Sequence, residues 1–232
     1  MRFGHHGKKA RILAYVGSLF AAIASSPTTT AQAAFVPLGA GARGPGMGNA
    51  FTAVADDAHA VYYNPAGLAL LSRPEFASSY TKLLMGLSDG SELGSSYLGY
   101  AHPIDGGSRG SLGTAWQSFS LNGGLYQENS FYLSYGRRFL EESGPGKLYG
   151  GASLKYLTRS FGALPEASNA MSGVTATGRA DPVLSGRNSM GTHDADLGLL
   201  YRLKEHYVLG LALSHLTQPN VAFDKRDSDR LP

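Results

Sequence analysis

From residue 75 onward, bulky apolar side chains recur at every second position in runs of about ten residues, and clusters of Gly, Asp, Ser and Pro break the runs. A period of two puts one kind of side chain on each face of a pleated strand. The pattern predicts seven strands, over 75–85, 93–103, 110–120, 128–139, 147–159, 193–203 and 206–217. Each is close to the length, about 9 to 11 residues, that a tilted strand needs to cross a bilayer. In the fourth, Phe131, Leu133, Tyr135 and Phe139 alternate with Ser130, Tyr132, Ser134, Gly136 and Arg138. In the sixth, Leu197, Leu199 and Tyr201 oppose Asp194, Asp196, Gly198 and Arg202. In the last, Tyr207, Leu209, Leu211 and Leu213 oppose Val208, Gly210, Ala212 and Ser214.

Residues 34–71 lack this alternation. Glycines at 39, 41, 44, 46 and 48 are expected to break any early helix. A short helix is predicted over 49–60, and Asn64-Pro65-Ala66-Gly67 reads as a turn. Such a stretch is compact but irregular, and better suited to burial inside a larger structure than to folding alone.

The first 33 residues are a different object. Arg2, Lys8, Lys9 and Arg11 precede an apolar run over 12–24, and Ala31-Gln32-Ala33 offers a small-x-small cleavage site, so a secretory signal peptide cut after Ala33 is expected. The run is too short to span a bilayer as a helix. Its removal changes the charge balance. The leader carries four of the 20 Lys and Arg and none of the 17 Asp and Glu, leaving 16 against 17 and a net charge of −1. The basic character thus belongs to the targeting segment, and no nucleic-acid partner is expected. The expected organisation is a signal peptide over 1–33, an irregular segment over 34–71 and strands over 72–232.

Composition narrows the fold class. The chain has no Cys, so an exported fold would do without disulfides. It holds 31 Gly, 13 Tyr and 10 Phe with only 16% charged residues. A soluble β-sandwich would also alternate, but its outward face should carry Lys, Glu and Thr rather than leave Gly and Ser facing a narrow interior. The expectation is an all-β, antiparallel transmembrane β-barrel with an N-terminal plug. Loop lengths agree, since the longest connection, 160–192, and the short Lys204-Glu205 connection fall on opposite ends. Seven is odd, whereas bacterial single-chain barrels close with even strand numbers, so either the pattern hides one more strand or, the preferred expectation, the barrel is incomplete in this chain.

Candidate chemistry adds little to this. Gly39 to Gly44 matches G-x-G-x-x-G but follows a cleavage site rather than a strand, so no dinucleotide is expected. Gly86-Leu87-Ser88-Asp89-Gly90 and Gly106-Gly107-Ser108-Arg109-Gly110 match the hydrolase elbow but lie between strands. No enzyme, catalytic residue, metal or cofactor is expected. His102, His193, His206 and His215 lack metal-ligand spacing and read as interfacial or interior polar groups. Arg138, Lys155, Arg159, Asp194, Asp196 and Arg202 are the candidates for the polar interior. A plug in that interior needs partners for its polar groups, so Asp56 or Asp57 is expected to meet an inward arginine such as Arg138, Arg159 or Arg202.

The strings Gly41-Ala42-Arg43-Gly44, Met47-Gly48-Asn49-Ala50-Phe51, Ala53-Val54-Ala55-Asp56-Asp57-Ala58 and Tyr63-Asn64-Pro65-Ala66-Gly67-Leu68 closely resemble the start of FadL-superfamily proteins, more narrowly the PorV/PorQ branch. Leu216-Thr217-Gln218-Pro219-Asn220-Val221 and Asp229-Arg230-Leu231-Pro232 are similar to a mid-barrel stretch of the same proteins, after which further strands normally follow. The resemblance implies a hatch over 34–71 inside an outer-membrane barrel, with Asn64-Pro65-Ala66 as its hallmark. It makes Asn64, Pro65, Ala66, Gly67, Gly46, Gly48, Asp56 and Asp57 the hatch and gating candidates. It implies contact with outer-membrane lipid and one of two roles. One is passage of hydrophobic, fatty-acid-like molecules by displacement of the hatch. The other is a PorV-like accessory role in type IX secretion, with exported proteins as cargo.

Overall fold

The computed structural model describes residues 34–88, 90–140, 146–162, 171–172, 175–179, 188–204, 206–223 and 227–232, all within a compact unit spanning Gln32–Pro232. The expected leader and its cleavage site lie outside the described residues. Seven strands form one antiparallel sheet: β1 (Glu75–Leu83), β2 (Leu93–Pro103), β3 (Ser111–Leu121), β4 (Tyr126–Leu140), β5 (Gly146–Phe161), β8 (Ser189–Leu203) and β9 (Tyr207–Leu213). Their order is β1-β2-β3-β4-β5-β8-β9, every neighbour being the next strand of the sheet along the chain. The sheet curls into a half-barrel. A separate short hairpin, β6 (Met171–Ser172) with β7 (Thr175–Ala176), sits in the connection between β5 and β8. No helix among the described residues is long and apolar enough to cross a membrane.

The pairing explains where the strand ends differ from expectation. β5 and β8 stay in register out to Ser160 opposite Ser189, so β8 begins earlier than the apolar alternation alone suggests. Backbone ladder bonds continue there although the side chains are no longer oily. β9 stops at Leu213, short of the expected 217. Beyond it the chain leaves the ladder because the backbone N–H of His215 donates to Asp196 (3.0 Å) and the Thr217 hydroxyl donates to Asp194 (2.9 Å).

The two faces of the sheet differ as the alternation requires. Outward positions stay exposed although they are apolar: Phe76 is 67% exposed, Leu154 66%, Phe139 64% and Leu133 59%. The register lines them up, with Leu98, Trp116, Phe131, Tyr156 and His193 forming one cross-strand row. The next outward row towards the β3–β4 connection carries Tyr80 on β1 but only Ser96, Ser118, Asn129, Thr158 and Gly191 on β2 to β8, where the oily surface ends.

The concave face is covered. Residues 34–71 lie against it as turns, two single-turn helices, α1 (Arg43–Gly46) and α2 (Ala60–Tyr63), and a 3-10 turn over Pro65–Leu70. Two expectations need correction. α1 forms despite Gly44 and Gly46, since one turn around Pro45 demands little of propensity, and only Ala60 of the expected 49–60 helix is helical. Turns close by Val54 N–H to Phe51 O and Ala60 N–H to Asp57 O take its place. Phe51, Ala55, Val61 and Leu68 of this segment are fully buried against Tyr97, Ala101, Ala115 and Tyr132 of the strands, and that contact is the core of the molecule. At 25 cal/mol per Å² of apolar area, each such large side chain contributes about 1.5–3 kcal/mol.

Candidate functional site

Inward positions of adjacent strands meet in one cross-strand row that reads Ser111, Gly136, Gly151, Gly198 and Ala212. Three consecutive strands therefore present bare main chain at the same level. Asn64-Pro65-Ala66 lies in the trough this creates. A Cβ on Gly136 would fall on the Pro65 carbonyl oxygen, one on Gly151 on the Pro65 carbonyl carbon, and one on Gly198 on the Asn64 side-chain oxygen. Any larger residue at these three positions would hold the tripeptide off the sheet.

Asn64 fixes its own turn and joins it to the strand wall. Its side-chain oxygen accepts from Ala66 N–H (3.1 Å), capping the 3-10 turn, while its amide donates to Thr52 O (2.9 Å) and to Leu199 O on β8 (3.2 Å). The side chain is fully buried, so each of these bonds replaces one to water. Pro65 sits where its missing N–H is not needed, at the first position of the turn. Gly67 packs under Ala55 O too closely for any side chain. Gly46 and Gly48 are exposed with open space around them, so the structure brings neither to the trough.

Further bonds hold the segment along its length. Ala58 N–H donates to Glu75 on β1 (3.2 Å), and its carbonyl accepts from Tyr97 on β2 (2.9 Å). Gln117 on β3 donates to Gly39 O (3.3 Å), and Phe35 N–H donates to Glu128 on β4 (2.9 Å). The segment is thus tied to five strands through groups whose partners the sequence did not reveal.

Asp56 and Asp57 take a different arginine from the one expected. Both pair with Arg43 of their own segment, at 2.8 and 2.6 Å. Gly41, with a positive φ just before α1, turns the chain, and Arg43 lies over this acidic pair and over the Phe51 ring, 4.9 Å from its centroid. Half-burial pushes the Asp57 carboxyl up, but hydrogen bonds from His59 and Arg43 outweigh it and bring it from an ordinary 3.8 to about 2. The same bonds, from Asp56 first and then Asp57, raise the Arg43 guanidinium.

The inward charges of the strands gather elsewhere. Lys155 on β5, almost fully buried, pairs with Asp194 (3.0 Å) and Asp196 (2.6 Å) on β8, and His215 Nδ1 lies 2.6 Å from Asp194. Arg159 bonds Asp229 (2.9 Å), Val221 O (3.2 Å) and the Tyr126 hydroxyl (2.8 Å). These bonds draw residues 214–223 and 227–232 onto the concave face, where Val221 and Leu231 bury against Ala34 and Leu157. Arg138 and Arg202 share the inward side of their strands but are exposed near the ends. His102 and His193 are exposed on the outward face, and His206 is exposed in the turn before β9.

Between the N-terminal segment, the strands and His215 lies a cavity of about 330 Å³. Phe35, Leu38, Tyr62, Phe119, Tyr132 and Leu157 supply its apolar wall, and Gln117, Glu128, Lys155, Asp196 and His215 its polar one. The volume falls at the low end of small-molecule sites. No group of three or more His, Cys, Asp or Glu suited to a metal occurs among the described residues.

These features define a class: an antiparallel half-barrel with an oily convex face and a concave face occupied by the chain's own N-terminal segment. Comparison with protein-family models, with curated proteins and with solved structures returned no match.

Proposed function

We propose that this chain is part of a FadL-like outer-membrane β-barrel, in which residues 34–71 are a hatch and small hydrophobic molecules cross when the hatch shifts. The observation that carries the reading is the seating of Asn64-Pro65-Ala66 in the glycine trough. A segment held on bare main chain can withdraw without any wall side chain having to move. The cavity beside it, lined by Tyr62 of the hatch and Tyr132 and Leu157 of the wall, gives a ligand a place at the hatch edge. Ligand entering there competes with hatch contacts and favours the displaced position.

The membrane part of the reading rests on the convex face. From Ala195 to Leu203 the outward side of β8 (Ala195, Leu197, Leu199, Tyr201, Leu203) is apolar throughout and covers roughly 26 Å at about 3.3 Å per residue, or roughly 20 Å after a strand tilt of about 40°. That approaches the apolar band of outer-membrane barrels, about 25 Å tall. An exposed apolar surface of this extent on a water-soluble monomer would be an aggregation hazard.

The test uses the absence of native cysteine. A Cβ on Gly113 would touch Val61, so Val61→Cys with Gly113→Cys allows a single bond between hatch and wall. In cells carrying the full protein, the oxidised pair should stop uptake of a labelled long-chain fatty acid, and reduction should restore it. Unchanged uptake with the bond formed refutes hatch displacement. Loss of surface-exposed secreted proteins on deletion of the gene, with uptake intact, would favour the secretion-accessory role instead.

A further inference from the structure

The convex face carries a groove of about 340 Å³ whose wall is almost wholly carbon. Its floor is β5 at Gly150 and Ala152, the outward positions where that strand has the least side chain. Tyr135 and Phe139 of β4 form one bank, and Leu197 and Leu199 of β8 with Leu211 and Leu213 of β9 form the other. The banks are firm. The Tyr135 hydroxyl donates to Arg109 O (2.5 Å), and Phe139 leans over Gly150, where a Cβ would strike its ring.

Arg137 stands beside this groove, on the strand that forms one of its banks. It is directly opposite Gly150 in the β4–β5 register, and its parity places it on the outward face between Tyr135 and Phe139. It is exposed and makes no ion pair or hydrogen bond with any described residue. Arg109, at the same end, is by contrast paired with Asp105 at 3.0 Å. A charged residue on a lipid-facing strand costs about 2–4 kcal/mol at the bilayer midplane and about 0–1 near the interface. Three residues from the end of β4, Arg137 is near the interface, where a planar guanidinium recognises phosphate in bidentate fashion.

We infer that this groove is a phospholipid site: an acyl chain lies over Gly150 and Ala152, and the lipid phosphate is held by Arg137. The charge and the carbon-lined groove match the two halves of an anionic glycerophospholipid, which accounts for both an unpartnered cation and a gap in an otherwise bulky apolar surface. The inference rests on the membrane reading proposed above.

Native mass spectrometry of the full chain, purified in a mild neutral detergent and titrated with phosphatidylglycerol, tests it. One tightly retained lipid is expected. Arg137→Gln should weaken retention about tenfold. Ala152→Leu, which fills the groove from an exposed outward position, should abolish retention and leave the far-ultraviolet circular dichroism of the β-sheet unchanged. Retention that is absent, or that is equal in the wild type and both variants, overturns the site while leaving the membrane reading intact. A folded chain that stays monodisperse without detergent removes the membrane reading and the site with it.

Discussion

The side-chain amide of Asn64 donates to the main-chain carbonyl of Leu199, 135 residues further along the chain, at 3.2 Å. One hydrogen bond thus joins the turn of the N-terminal segment to β8, four residues before that strand ends at Leu203. The strand wall and the segment are ordered by the same buried amide.

Replacing Asn64 with Ala should therefore destabilise the fold by about 2–4 kcal/mol, since the carbonyls of Thr52 and Leu199 and the N–H of Ala66 all lose a partner away from water. Asn64→Asp should be worse, because a carboxylate oxygen then faces those two carbonyls. Urea unfolding in detergent, followed by tryptophan fluorescence of Trp116, measures both. Equal stability of Asn64→Ala and wild type would show that the amide bonds are not holding the segment.

Gly151→Val should eject the Pro65 region from the trough, because the collision is with backbone and no rotamer relieves it. The expected signature is rapid trypsin cleavage after Arg43 in the variant. Ala152→Val, one residue along and outward, should cut as slowly as wild type. Slow cleavage of Gly151→Val would mean that the segment docks elsewhere.

The seven strands were legible in the sequence because each alternates over most of its length, and period two fixes the faces once one face is oily; the ends, such as Ser189 to Thr192 of β8, are set by the ladder instead. The trough was not legible in the same way. Gly136, Gly151 and Gly198 lie far apart along the chain, and only the strand register puts them in one row. Read along the sequence they mark a small-residue face; read across the strands they mark a docking site. The partner of Asp56 and Asp57 was hidden for a related reason. Which arginine reaches them depends on the turn at Gly41 to Gly48, where Gly41, Gly48 and Asn49 all take positive φ, and no periodic signal encodes that path. His215 belongs to the same group, since its role follows from where the chain leaves β9.

Lys155→Met should cost about 3–5 kcal/mol by leaving Asp194 and Asp196 buried without their cation. Adding Asp194→Asn and Asp196→Asn should recover much of the loss. Denaturant midpoints of the single and triple variants decide this. A triple variant no more stable than Lys155→Met alone would show that the lysine acts by packing rather than by charge.

The Asp57 carboxyl should make the fold acid-sensitive in a defined window. Its folded value lies below its ordinary 3.8, at about 2, so its contribution is complete above the ordinary value and is lost as pH falls between the two. Thermal unfolding of Asp57→Asn should begin below wild type at pH 6 and converge on it near pH 2. Parallel curves across that range would show that the pairing with Arg43 and His59 does not stabilise the native state.

A floor built from glycine has no rotamers to freeze when something settles on it and none to thaw when it departs. The entropy of seating Pro65 is therefore borne almost wholly by the N-terminal segment. On the proposed displacement, such a berth would leave the wall unchanged each time the segment withdrew.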